Sequence, residues 1–187
     1  MCAAVDVHYL RTGGARAAVV LAADAVFAHP LAERTAVLSR VPLYRPGEFY
    51  LRELPPLRAV LDGLSELGLL VVDGYADLDP GGRPGLGAHA HTELGIPVIG
   101  VAKSAFRTAT HAIPVLRGTS ARPVFVTAAG MRSTDAADLV QNMAGRFRTA
   151  THAVPAVHGS SVRPLYVTAA GMPSADAADL VRRMAGR

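Results

Sequence analysis

Two short, unbroken apolar runs limit what this chain can become more than any other feature. They are Leu69-Leu70-Val71-Val72 and Pro97-Val98-Ile99-Gly100-Val101-Ala102. A strand apolar along its whole length, with no polar face to give to water, reads as buried. The first run follows a segment in which Leu57, Val60, Leu61, Leu64 and Leu67 recur at helical spacing, entered at Pro55-Pro56 and closed by Gly68. Between the runs, the glycine-rich Gly81-Gly82-Arg83-Pro84-Gly85 opens a second short helix through Leu94. A strand, a helix, a strand, a helix and a strand in this order predict right-handed parallel crossovers.

Upstream, extended stretches at Ala3–Leu10, Ala17–Leu21 and around Ala25–Leu38 are separated by Gly13-Gly14 and Ala23-Asp24, which predicts an antiparallel meander. Meander and crossovers together give an α/β chain with a mixed sheet flanked by helices. Its 187 residues suffice for one domain with a sizeable core, and with half of them apolar but only 5% aromatic, that core is built from Ala, Val and Leu.

The same totals narrow the setting. No apolar run approaches the roughly 18 residues a bilayer span needs, so no membrane is expected. The start Met1-Cys2-Ala3-Ala4-Val5-Asp6 has neither a basic leader nor a long apolar stretch, and a cytoplasmic protein is expected. A single cysteine, Cys2, excludes a disulfide framework and a cysteine zinc cluster. The net charge of +4 is uneven: residues 1–103 carry −2, and residues 104–187 carry +6. An acidic part beside a basic part suits a protein that gathers a metal ion next to a polyanion.

The C-terminal part is a tandem duplication. Residues 106–146 and 147–187 are each 41 long and agree at 29 positions. Each copy predicts a strand (Val124–Thr127, then Leu165–Thr168) and a helix with Ser133 or Ser174 as N-cap and Asp135 or Asp176 in its first turn. Ala136, Leu139, Val140 and Met143 form its apolar face, repeated as Ala177, Leu180, Val181 and Met184. We therefore expect a domain over 1–146, completed by the first copy. The second copy, 147–187, could extend the sheet edge, swap into a partner chain to make a homo-oligomer, or remain loosely attached.

The chemistry-bearing residues fall where strands and loops should converge. Eighteen of the nineteen basic side chains are arginine; the one lysine, Lys103, ends the Pro97–Ala102 strand. Arginine cannot replace a lysine that acts as a compact point charge or releases a proton. Asp6 lies in the first strand, Glu53 at the entrance of the first helix, and Asp73 at the end of the next strand. Carboxylates held together repel unless a cation joins them, and an oxygen-only set without cysteine favours a hard ion, Mg²⁺ or Mn²⁺. Such an ion polarises a phosphoryl oxygen while lysine counters developing negative charge.

Four segments, in order, resemble the endonuclease V family: Val5-Asp6-Val7-His8-Tyr9, the unbroken Tyr44–Glu53 stretch, Val72-Asp73-Gly74, and Ile99-Gly100-Val101-Ala102-Lys103-Ser104. The likeness covers about residues 3–145. It implies a ribonuclease-H-like fold and Mg²⁺-dependent cutting of DNA or RNA near a deaminated base, chiefly inosine. It implies that Asp6, Glu53 and Asp73 hold the metal and that Lys103 assists at the phosphate. Tyr44, with Arg45, Pro46 and Gly47, would match the family's wedge into the strand. Arg52, Arg83 and His89 would add nucleic-acid contacts, and Gly74 would let an extruded base approach the backbone.

Two departures stand out. Where the family has a histidine followed by Pro-Arg, this chain reads Asp79-Pro80-Gly81-Gly82-Arg83. Where the family's strand reads "VxVSxGH", this chain has Val124–Met131, so Met131 (or Met172 in the second copy) replaces a histidine near the metal site. Two functions are therefore expected: a metal-dependent endonuclease, or a nucleic-acid-binding relative that no longer turns over. His91, His111 and His152 show no metal-ligand spacing.

Overall fold

The computed structural model describes residues 1–147, apart from Thr12, Pro46 and 117–119, together with two short strands at 154–156 and 165–167. Alternation organises the first three strands. In β2 (Ala15–Ala22), Ala15, Ala17, Val19 and Leu21 are buried while Arg16, Ala18 and Val20 are half-exposed, the period of two that gives a sheet one covered face. β2 pairs antiparallel with β1 (Cys2–Tyr9) on one side and with β3 (Pro30–Leu38) on the other. β3 begins five residues later than the sequence suggests. Asp24 accepts the backbone N–H groups of Val26, Ala28 and His29, folding 24–29 into a turn rather than a strand.

Helix α1 (Phe49–Leu61) differs from the sequence reading at both ends. Pro55-Pro56 lies in its interior, not at its entrance, and Glu53 sits within the helix. Proline at 55 and 56 supplies no N–H to the carbonyls of Leu51 and Arg52 one turn back, so two rungs of the helical ladder are missing at mid-helix. At the other end, Asp62 leaves the helical region and Gly63 takes a positive φ of 68°. Leu64 and Leu67 therefore pack against the core from the loop, not from a helical face.

The two apolar runs become the centre of the sheet. β4 (Leu69–Asp73) inserts parallel beside β1, with Val5 opposite Val72. After α2 (Leu86–Leu94), β5 (Val98–Ala102) runs parallel beside β4, with Asp73 opposite Val101. Burial on both faces explains their unbroken apolarity: Val98 joins the cluster under α1, while its neighbour Ile99 joins the cluster on the other face. The α1–α2 seam is strapped outside by Arg58, which grips the Glu93 carboxylate with two hydrogen bonds, one of 2.6 Å.

The first repeat copy supplies the remaining edge. β7 (Val124–Ala129) pairs antiparallel with β5, and a strand absent from the sequence reading, β6 (Ile113–Val115), pairs antiparallel with β7. Helix α3 (Ser133–Phe147) lays Ala136, Ala137 and Val140 on that end of the sheet, and Ser133 is its first helical residue, one place inside the expected cap. The sheet order is β3-β2-β1-β4-β5-β7-β6.

In the second copy, β8 (Val154–Ala156) pairs antiparallel with β9 (Leu165–Val167). Val154 faces Val167, the counterpart of Ile113 facing Val126. The helix expected around Ser174–Met184 lies outside the described residues.

Candidate active site

β1 and β4 run parallel side by side, and that pairing brings their acids to one cleft. Asp6 comes from β1, Asp73 from the last position of β4, and Lys103 from the residue after β5. Glu53 reaches the same place from α1. All four line a cavity of about 580 Å³, a size suited to a small ligand or a single base.

The acids are not equivalent. Glu53 is 6% exposed, and its carboxylate accepts the Tyr9 hydroxyl. Loss of solvation, reinforced by the charges of Asp6 and Asp73 and partly offset by the Tyr9 hydrogen bond and Arg52, pushes its carboxyl up to about 7. Asp6 is raised as well, first by desolvation and then by the Asp73 charge, with Lys103 pulling the other way. Asp73 accepts a 2.6 Å hydrogen bond from the Lys103 ammonium.

Each of these contacts quiets the mutual repulsion of three close carboxylates in its own way. Burial of Glu53 favours the neutral acid, and Lys103 neutralises Asp73 directly. Among the described residues, no three His, Cys, Asp or Glu side chains stand gathered in a ready cation-binding group; Glu53 accepts the Tyr9 hydroxyl and Asp73 the Lys103 ammonium. The donor chemistry nevertheless fits a hard divalent ion: the donors are oxygen only, and Asp6 and Glu53 are raised first by desolvation and then by neighbouring carboxylates whose repulsion a cation relieves.

The backbone around the acids is fixed by close approaches. Gly74 has a φ of +149°, a conformation that side-chain-bearing residues rarely adopt, and its N–H bonds the Val101 carbonyl at 3.0 Å. Gly100 lets this turn cross β5: a Cβ there would lie 2.5 Å from the Ala76 nitrogen and the Gly74 oxygen. The Ala76 N–H donates to the fully buried Thr127 hydroxyl at 2.7 Å.

Aromatic residues are scarce in this chain, five Tyr, five Phe and no Trp, yet six of the ten line the cleft: Tyr9, Tyr44, Phe49, Tyr50, Tyr75 and Phe106. Tyr44 is 56% exposed and meets the edge of Phe49 at 6.5 Å between ring centres. The Tyr75 hydroxyl donates to the Ser104 carbonyl (2.8 Å) and accepts the Phe106 N–H (2.9 Å), tying the loop after Asp73 to the segment after Lys103.

The other residues singled out from the sequence divide. Gly47 and Gly74 line the cleft with Tyr44, and Pro46 lies outside the described residues. Arg52 and His89 stand behind the wall, Arg52 stacked 3.5 Å over the Tyr9 ring and His89 stacked on Tyr50 at 3.6 Å. Arg45 pairs with Glu48 at 3.6 Å. Arg83 folds back on Asp79 and reaches the Thr108 hydroxyl at 3.2 Å. Tyr9, Phe49, Tyr50, Tyr75 and Phe106 were not foreseen as site residues; the available signal was the clustering of rare aromatic residues in and beside the four family-like segments.

Parallel neighbouring strands delivering one acid from within β1 and one from the end of β4, with a third acid from a helix and a lysine alongside, define a ribonuclease-H-like protein. The comparisons specify it further. The Endonuclease V family model matches residues 1–185, and the chain belongs to the endonuclease V family.

Endonuclease V of Streptomyces avermitilis is 40% identical over 103 residues, 54% of this chain and 44% of that protein. The Streptomyces coelicolor protein is 41% identical over 112 residues, 59% of this chain and 47% of that protein. The matched part of this chain thus spans less than half the length of these relatives.

The crystal structure of the S. avermitilis protein superposes with a TM-score of 0.61 at 33% identity, covering 76% of this chain and 71% of that one. A Ciona intestinalis endonuclease V (D234N), solved with a 23mer DNA containing an inosine followed by a ribo-adenosine, shares the fold. Its TM-score is 0.64 at 18% identity, covering 79% of this chain and 83% of that one.

Proposed function

We propose that this protein is a divalent-metal-dependent endonuclease that hydrolyses a phosphodiester close to a deaminated base, inosine above all, in DNA or RNA. The observation that carries the reading is the convergence of Asp6, Glu53, Asp73 and Lys103 on one aromatic-lined cleft, from four segments far apart in sequence. Family membership, and the inosine-containing DNA bound by the Ciona relative, support the substrate class.

Asp6, Glu53 and Asp73 would hold the cation, Mg²⁺ or Mn²⁺, which supplies Lewis-acid polarisation of a phosphoryl oxygen and acidifies water. Holding it would draw Asp73 from Lys103 and leave the ammonium beside the phosphate. There Lys103 offsets the negative charge that develops as the bond to the leaving oxygen breaks. The exposed Tyr44 offers a ring to fill the gap left by an extruded base, and the cleft's aromatic walls can flank that base. A deaminated base pairs weakly, which lowers the cost of extrusion.

The test is a paired-oligonucleotide assay with purified full-length protein. We expect Mg²⁺-dependent cleavage of an inosine-containing strand, none of its adenine twin, and none in EDTA. Absence of cleavage across Mg²⁺ and Mn²⁺, with nucleic-acid binding unchanged by Asp73→Ala, would instead support the alternative of a binding protein without turnover.

A further inference from the structure

We infer that Tyr9 is a positioning residue: its hydroxyl, with the ring pinned beneath the Arg52 guanidinium, sets the direction of the Glu53 carboxylate and so governs how tightly the cleft holds a divalent cation. This rests on the reading of the cleft given above, and it concerns two residues to which that reading assigns no such part.

The argument begins with strand periodicity. Asp6 and Tyr9 are three residues apart on β1, so they leave opposite faces of the sheet. Asp6 therefore reaches the cleft directly. Tyr9 projects to the α1 side, where Val5 and Val7 also pack, and there it meets Glu53. One strand thus supplies one acid itself and aims a second through its last residue.

The phenol is held in turn. The Arg52 guanidinium carbon lies 3.5 Å over the ring centre, well within cation–π range, and its Nε is buried without a hydrogen-bond partner among the described residues. The stack on the ring is thus the contact that holds this face of the guanidinium. Arg52 and Glu53 are consecutive on α1, so the helix fixes the spacing between the group that pins the ring and the group the ring directs.

At Glu53, Oε1 accepts the phenol. A carboxylate anchored at one oxygen has lost much of its rotational freedom before any cation arrives. Partners of this kind, one layer removed from a ligand, commonly change metal affinity or activity by about 10–100-fold when removed. Phenylalanine at position 9 would keep the ring and its stacking partner but lose the aim.

The experiment is Mn²⁺ titration of the full chain, read by electron paramagnetic resonance, for wild type, Tyr9→Phe and Arg52→Lys. For Tyr9→Phe we expect the Mn²⁺ dissociation constant to rise about tenfold or more. In the cleavage assay the Mn²⁺ concentration for half-maximal rate should rise by the same factor. The KM for the inosine oligonucleotide should stay unchanged, and the rate should recover at saturating Mn²⁺; a merely structural role would not produce that split.

Arg52→Lys keeps the charge and the phenol but loses the planar stack. It should shift the same constant by a smaller factor, and it serves as the test should Tyr9→Phe not fold. Mn²⁺ affinity within twofold of wild type in both variants overturns the inference alone. Wild-type protein that binds no Mn²⁺ overturns the reading of the cleft, and this inference with it.

Discussion

At Glu53, burial and two neighbouring carboxylates act in the same direction, and the result is a stability that depends on pH. Its folded-state pKa, about 7, lies above its ordinary value of 4.5, so between those values the folded chain holds a proton that the unfolded chain has released. Stability therefore falls as pH rises from about 4.5 to 7, and Asp6, shifted the same way, adds to the slope. For the metal-free protein we predict a higher unfolding free energy at pH 5 than at pH 8, by on the order of 3 kcal/mol, and a correspondingly higher melting temperature. Glu53→Gln should flatten the profile, and added Mn²⁺ should flatten it for wild type; equal slopes in wild type and variant would contradict the assignment. At Lys103 the prediction is kinetic: Lys103→Arg keeps the charge, but its planar fork cannot replace the compact ammonium at Asp73. Cleavage of the inosine oligonucleotide should fall about 100-fold or more, with little change in its binding.

At the scale of elements, the loop carrying Gly74 depends on two strands that never touch substrate in the proposed reaction. Gly100 of β5 gives it room, and Thr127 of β7 accepts the Ala76 N–H. Thr127→Val, nearly equal in volume, should leave that amide unsatisfied in a dry place. It should cost about 1–3 kcal/mol in urea unfolding, with cleavage falling as the Gly74 turn loosens. Much of this layer could be read from the chain alone. The central strands were legible because burial on both faces leaves their runs apolar without a break, and α2 because the glycine-rich Gly81–Gly85 loop opens it. The limits of α1 were not legible. Proline is so strong an entrance signal that Pro55-Pro56 masked four residues of helix before Glu53, and Leu64 and Leu67 happened to continue the helical spacing from a loop. β6 was missed because three residues containing a proline carry too little pattern to announce an edge strand.

At the scale of the molecule, the duplication separates fold from charge. The described sheet draws all seven of its strands from residues 2–129, and α3 closes it by 147. Residues 147–187 add five arginines and two aspartates. Removing 147–187 should leave the cooperative unfolding transition within a few degrees of wild type, while nucleic-acid affinity becomes weaker and less steeply dependent on salt, because fewer phosphates are neutralised. Loss of the folded state in circular dichroism would mean that the second copy helps hold the sheet. The sequence by itself determined the mixed sheet, the two buried central strands, and the identity of the three acids and the lysine. Hydrophobic period and residue chemistry are local properties, and each can be read within a few positions. Only tertiary structure decided that Tyr9 faces Glu53, that Arg52 stacks on Tyr9, and that six scarce aromatic rings surround the acids. Those contacts join residues dozens of positions apart, and their geometry follows from which strands lie side by side, a property of the assembled sheet and of no segment within it.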